Sequence, residues 1–188
     1  MPRALAAIAL GIFCSACPSS RIYRPDSSQL REMDAGAERH VFPEDVRRDL
    51  AAHSNQLVLW TGIVRSKTPV SISGRDAVEI RIDHHYWDFV EDFGVQRARA
   101  FLSPRGEGAF IIRVWADQLR SDPGNFQEGW MALIWGTPAG VAPDGAVRVN
   151  LRGSTCAPPG WFSTEMWDYG RAYLLQHDYS DLHILRTF

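Results

Sequence analysis

The fold is decided by the stretch Leu57-Val58-Leu59-Trp60-Thr61-Gly62-Ile63-Val64. Aliphatic, β-branched and aromatic side chains follow one another here, which is typical of a strand with both faces at least partly covered. Gly62 interrupts the run and indicates a bulge or a bend, as at the corner of a barrel. The stretch therefore predicts a curved strand in the middle of a small β structure.

Four other stretches also predict main strands. Residues 77–87 alternate, with Ile80, Ile82 and His84 on one face and charged side chains on the other, so this strand is half exposed. The remaining three are apolar runs at 108–115, 130–136 and 172–179. A loop over 68–76, marked by a proline and a glycine, separates the first two strands. Residues 88–93 are compatible with a helical turn and residues 97–102 with an extra strand.

One short helix precedes the first strand. Pro43 suits its first position, and Glu44 and Asp45 complement the positive end of the helix dipole. Five closely spaced strands, one helix and no alternation of strands with helices predict a mainly β fold, a small OB-like Greek-key β-barrel. An open β-sandwich is the alternative.

Residues 137–170 are rich in glycine and proline and predict a long excursion from the barrel, with a small ribbon at Val147–Leu151. Four aromatic residues in this excursion have two interpretations. Their rings either pin the excursion to the barrel wall or form a patch that binds a partner, as exposed aromatic residues often do. The candidates for partner binding are Trp161, Phe162, Trp167 and Tyr169.

The amino-terminal residues 2–17 have the order of a secretory signal. Arg3 is followed by an uncharged apolar run to Phe13, which is too short to span a bilayer, and then by small residues. The ending Cys14-Ser15-Ala16-Cys17 resembles a bacterial lipobox, which predicts lipidation at Cys17; ordinary cleavage nearby is the alternative. Residues 18–40 are polar and without periodicity, which predicts a flexible tether.

Composition bounds the function. The net charge is −2 and 45% of the residues are hydrophobic, as in an ordinary globular domain. Such a balance lacks the basic footprint of a nucleic-acid-binding protein, so we expect no nucleic acid as partner. Removal of the signal leaves Cys156 as a single cysteine, so no internal disulfide framework is expected.

Several of these residues together resemble the Slp family of Gram-negative outer-membrane lipoproteins. The resemblance rests on Cys17, the helix from Pro43 to Leu50, the strand at 58–64, and the segments 108–111, 131–136 and 173–179. It departs from the family at Thr61, where glycine is usual, and in the length of the excursion. The resemblance implies an envelope lipoprotein with an OB-like domain and no established enzyme activity. Pro18 after the cysteine, in place of Asp, favours the outer membrane by the same resemblance.

The sequence contains only weak candidates for a catalytic or metal-binding site. Asp83, His84, His85 and Asp88 look metal-like, but neighbouring residues on a strand point to opposite faces, so the two histidines cannot share an ion. Cys156 stands in a proline-rich segment, not at a helix amino terminus that would lower its pKa. We therefore predict no metal, no cofactor and no catalytic residue. The alternative is an envelope hydrolase that uses Asp83, His85 and Asp178.

The sequence thus predicts a signal peptide at 1–16, a lipidated amino terminus with a tether at 17–40, and a barrel domain at 41–188. The expected location is the outer membrane, lipid-anchored and facing the periplasm. The expected role is a non-catalytic binding or scaffold module, with an envelope protein or peptidoglycan as partner.

Overall fold

The computed structural model describes residues 27–92, 97–121 and 126–163. Its helices are Ser28–Gly36 (α1), Pro43–Arg48 (α2), Leu50–His53 (α3) and Ala116–Ser121 (α4). Its strands are Val58–Ile72 (β1), Arg75–His84 (β2), Trp87–Asp92 (β3), Arg97–Leu102 (β4), Ala109–Trp115 (β5), Met131–Val141 (β6), Val147–Ala157 (β7) and Phe162–Ser163 (β8). Within these ranges no helix is long and apolar enough to cross a bilayer.

Five strands form a closed barrel in the order β1-β2-β5-β7-β6, with β6 returning to β1. All neighbours are antiparallel except β5 and β7, which run parallel over residues 110–112 and 147–149. This connectivity makes the barrel a five-stranded Greek key, so the chain has a mainly β, OB-like fold. The barrel prediction is confirmed and the sandwich alternative is wrong.

The curvature of the barrel starts in β1, which changes partners along its length. Residues 58–63 pair with β6, whereas residues from Gly62 onward pair with β2. A Cβ on Gly62 would lie 2.1 Å from the Asp83 carbonyl oxygen, so only glycine allows this close approach of the two backbones. The register shift of β1 lies between Val64 and Ser66, two residues beyond the glycine.

The barrel interior is filled by the residues that the alternation of β2 predicts. Ile80 and Ile82 point inward and meet Trp60, Phe110 and Ile134, all of them buried. Helix α2, which the sequence predicted at this position, contributes Val46 to the same core.

The outer wall of β1 and β6 is covered by a second layer. Strands β3, β4 and β8 form a separate three-stranded sheet, and its apolar residues pack on Leu59, Leu133 and Trp135. This second layer explains why β1 and β6 are apolar on both faces. The segment at 97–102 is therefore a strand, as one interpretation had it, whereas residues 88–92 are extended and not a helical turn.

Part of the predicted tether belongs to this layer. Residues 28–36 form helix α1, capped by the Ser27 side chain, which accepts a hydrogen bond from the Leu30 N–H at 3.1 Å. Leu30 and Met33 pack against the apolar cluster around Leu59, Leu133 and Trp135, which we call the outer cluster. They also approach Gly153 of β7. Two apolar side chains three residues apart in a polar segment are enough to dock one helix face, which composition alone does not reveal. Residues 17–26 lie outside the described residues.

Two predicted loops are strands. The predicted 68–76 loop is the end of β1, a tight turn at Ser73 and Gly74, and the start of β2; both turn residues have positive φ, as a two-residue hairpin requires. The first part of the predicted excursion, 137–157, is the β6–β7 hairpin that closes the barrel. Its glycines and prolines sit at register shifts and in the turn, and the predicted ribbon at Val147–Leu151 is the first half of β7. The strand predicted at 172–179 lies outside the described residues, and β7 takes the place of the fifth barrel strand.

Candidate functional site

The outer wall of β2, β5 and β7, away from the second layer, carries a row of arginines. Alternation turns Ile80, Ile112 and Val149 inward, and so turns their neighbours outward into solvent. We call this surface the arginine groove and define it by Arg81, Arg113, Arg148 and Arg152.

Glu79 lies between two of these arginines. Its Oε1 accepts hydrogen bonds from Arg113 Nε at 2.8 Å and from Arg148 Nη1 at 3.0 Å. The cross-strand register puts Glu79 directly opposite Arg113, so β2 and β5 themselves hold this pair together. The Arg113 hydrogen bond, with the charge of Arg148, lowers the pKa of Glu79, which keeps the carboxylate ionised at neutral pH.

The β6–β7 turn closes one end of the groove. Asp144 in this turn accepts a hydrogen bond from the Ala146 N–H at 3.1 Å and pairs with Arg81 Nη1 at 2.5 Å. These bonds, the backbone one first, lower the pKa of Asp144. Beside them Ala142 and Ala146 pack on Ile111, so the turn is held on the sheet by apolar contact as well as by charge.

The groove consists of three adjoining hollows. Two of them, about 430 and 400 Å³, share Ile111 and Arg148, and a third of about 380 Å³ shares Arg113 and Trp115 with the first. Small-molecule sites span roughly 300–1,000 Å³. Each hollow is therefore large enough to hold part of an extended ligand.

The end of the groove near α4 holds an arginine without a carboxylate. Arg152 lines the third hollow, and in the part of the chain that the structure describes it makes no ion pair. Trp115 lines the same hollow, and the Arg75 guanidinium lies 4.1 Å from its ring centroid. Arg75 also pairs with Asp117 at 3.1 Å, which holds it over the ring.

The comparisons with known proteins show no family. No family model matches the chain, and no curated protein matches it. Among solved structures, a second single-stranded DNA-binding protein from Mycobacterium smegmatis is similar with a TM-score of 0.34 and 8% identity, over 53% of this chain and 85% of that one.

Two other solved structures have the same TM-score of 0.34. A deletion mutant of the single-stranded DNA-binding protein from Thermus aquaticus is 13% identical over 58% of this chain and 53% of its own. The structure of yeast Stn1 and Ten1 is 14% identical over 75% of this chain and 68% of that one. The assignment of this chain to an OB-like barrel rests on its own strand order and pairing.

The acid and histidine candidates for catalysis have separate structural partners. Asp83 pairs with Arg65 at 2.9 Å, whereas His85 Nδ1 lies 2.7 Å from the Ser103 carbonyl oxygen. Asp178 lies outside the described residues. Among residues 27–92, 97–121 and 126–163, no cluster of three or more His, Cys, Asp or Glu is arranged to hold a metal ion.

His84 is the titratable residue that the structure places most unusually. It points into the core with 4% of its surface exposed, among the rings of Phe42, Trp60 and Tyr86. Its Nδ1 accepts a hydrogen bond from the Glu107 N–H at 3.1 Å, so the ring is neutral with its proton on Nε2. Burial, with the nearby charges of His85 and Arg47, lowers the pKa of His84 to about 3.

The neighbours of His84 join helix α2 to the barrel. Tyr86 donates its hydroxyl to Glu107 Oε1 at 2.5 Å, and Glu107 Oε2 accepts the N–H of Glu44 at 3.0 Å. Arg47 Nη2 donates to the Glu107 carbonyl oxygen at 2.8 Å. Every contact here is internal, so this network stabilises the fold and offers no open position to a ligand.

The four aromatic candidates for partner binding differ in where they lie. Trp161 is 69% exposed, whereas Phe162 in β8 is half-buried against the outer cluster. Trp167, Tyr169 and Cys17 lie outside the described residues. Cys156, predicted in a proline-rich loop, is in β7 opposite Ala132 and packs against the barrel core.

Sequence reasoning missed the arginine groove. Its signal was the alternation of Val147-Arg148-Val149-Asn150, which predicts a strand with a charged face. A small ribbon was predicted at Val147–Leu151, but the surrounding glycines and prolines placed it in an excursion and not in the barrel wall. The three-strand clustering of Arg81, Arg113 and Arg148 follows from topology, which joins β5 to β7 across a long stretch of sequence.

Proposed function

We propose that this chain is an outer-membrane lipoprotein of the Slp type, whose OB-like barrel binds an envelope partner and catalyses no reaction. The observation that carries the binding role is the contrast between the two walls of the barrel. One wall is sealed by α1 and the second sheet, and the other presents the arginine groove. A barrel with one wall open and one wall covered suits recognition on the open side.

The membrane attachment rests on residues 2–17, which combine a positive start, a short apolar run and small residues before Cys17. A single acyl chain gives only marginal membrane binding, and stable anchoring takes a second signal. By resemblance to bacterial lipoproteins, Cys17 would carry several chains, so the barrel would stay at the outer membrane and face the periplasm.

Labelled palmitate tests the attachment in a Gram-negative host. We expect the wild-type chain to take up label and to fractionate with the outer membrane. Cys17→Ala should lose the label, whereas Cys14→Ala, the matched control three residues away, should keep it. The proposal fails if the wild-type chain takes up no label, if Cys17→Ala is labelled equally, or if the chain is found in the cytosol.

A further inference from the structure

We propose that the arginine groove binds an acidic oligosaccharide, a glycan whose sugars carry carboxylate groups. This inference rests on the proposed envelope function and names the class of ligand for its open wall. Three properties of the groove support it: its excess of positive charge, its mixture of hydrogen-bond donors and acceptors, and its apolar stretch.

The charges of the groove leave it short of anions. Arg113 and Arg148 share one carboxylate, Glu79, while Arg81 has Asp144 to itself. Arg152 lines the same surface with no ion pair to any other residue that the structure describes. A bound carboxylate would accept two parallel hydrogen bonds from one guanidinium, the geometry in which arginine binds this group best.

The polar groups of the groove are of both kinds. The arginines donate, Glu79 and Asp144 accept, and Asn150 does both. A sugar hydroxyl also donates and accepts, so a glycan can use every one of these groups. Between them Ile72, Ile111 and Ala139 provide an apolar stretch against which the C–H faces of a sugar ring can pack.

A nucleic acid fits the same surface less well. Binding of single strands relies on aromatic rings on which successive bases stack, together with a groove of positive charge that follows the backbone. In the groove, Trp115 has the Arg75 guanidinium over its ring.

Titration calorimetry of the full chain, purified in detergent, tests the proposal with three probes. These are a linear hexamer of galacturonic acid, which has a carboxylate on each sugar, a neutral hexamer of N-acetylglucosamine, and a single-stranded oligo-dT. We expect the uronate hexamer to bind at least about tenfold more tightly than either other probe, because the groove provides an unpaired arginine for its carboxylates.

Two variants locate the site. Arg152→Gln should weaken uronate binding about tenfold, and Arg113→Gln combined with it should abolish measurable binding. Arg48→Gln is the matched control, since Arg48 is an exposed arginine on α2 that pairs with Glu44 outside the groove. Thermal melting checks that each variant is folded. We expect all of them to fold, because the three side chains are solvent-accessible.

The proposal is overturned if the uronate hexamer does not bind, if the neutral hexamer or oligo-dT binds as tightly, or if Arg152→Gln binds like the wild type. Failure here with palmitate still on Cys17 removes the ligand class and leaves the envelope function intact. If the chain binds the uronate hexamer but takes up no palmitate, the ligand class stands and the membrane attachment is wrong.

Discussion

The buried His84 makes the stability of the barrel depend on pH in a defined window. In the folded chain burial lowers its pKa to about 3, whereas a histidine in an unfolded chain has a pKa of about 6.5. Below pH 6.5 the unfolded state therefore takes up a proton that the folded state does not accept. The free energy of unfolding must fall as the pH is lowered through this range.

The expected size of this effect follows from the linkage relation. Each pH unit below 6.5 removes about 1.4 kcal/mol, so moving from pH 6.5 to pH 5 should lower the free energy of unfolding by about 2 kcal/mol. Carboxylates with lowered pKa values, such as Glu79, act in the same direction but at lower pH, because their stabilising contribution is lost only as the pH falls through the ordinary range of a carboxyl group. The window between pH 6.5 and 5 therefore precedes most of the loss of these carboxylate contributions.

Urea unfolding followed by tryptophan fluorescence measures this slope. His84→Asn keeps an acceptor for the Glu107 N–H but does not titrate, so we expect a less stable barrel with the slope largely removed. His40→Gln, at an exposed histidine, is the control and should keep the wild-type slope. A wild-type barrel equally stable at pH 6.5 and 5, or a full slope in His84→Asn, would refute the assignment of a buried neutral histidine.

Three further substitutions test the packing, each measured by urea unfolding. Gly62→Ala should destabilise the barrel by about 3 kcal/mol or more, because its Cβ would lie 2.1 Å from the Asp83 carbonyl oxygen, whereas Gly140→Ala, with no atom within 4 Å of the new Cβ, should change stability by less than about 1 kcal/mol. Phe110→Ala should lower the free energy of unfolding by about 3–5 kcal/mol, since the ring is fully buried in the core. Thr61→Val should raise it by about 1 kcal/mol, because the Thr61 hydroxyl is buried without a hydrogen-bond partner among the described residues; a destabilised Val variant would contradict this.

Local patterning predicted the barrel core well, and for a physical reason. The period-two alternation of β2 reports which side chains face the interior, and Ile80, Ile82 and His84 are indeed buried. Pro43 and the acidic residues after it likewise predicted α2, because helix starts depend on a few adjacent residues. Both signals depend only on residues that are close together in the sequence, so they can be recognised without knowledge of the tertiary structure.

The missed elements depend on contacts between distant segments. Only the ribbon at Val147–Leu151 was predicted of β7, because its place in the barrel depends on parallel pairing with β5 that no neighbouring residue reveals. Helix α1 is too polar to signal a buried face, and it docks because Leu30 and Met33 meet an outer cluster built by β1, β6 and the second sheet. The arginine groove needs β2, β5 and β7 side by side, so it could not be predicted before the topology was known.

The position of α1 connects the proposed anchor with the proposed binding site. From Cys17 to Ser28 the chain can span at most about 40 Å, so an acylated Cys17 would keep the barrel close to the membrane surface. Helix α1 packs on the outer layer and also approaches Gly153 of β7, which lines the third hollow, so the chain arrives at the border between the covered wall and the Arg152 end of the groove. The strand order places β5, which carries Arg113 and Trp115, away from β1 and β6. If Cys17 carries the proposed anchor, the part of the groove around Arg81 and Arg148 would lie farther from α1 than the Arg152 end and would be the part left open to a ligand.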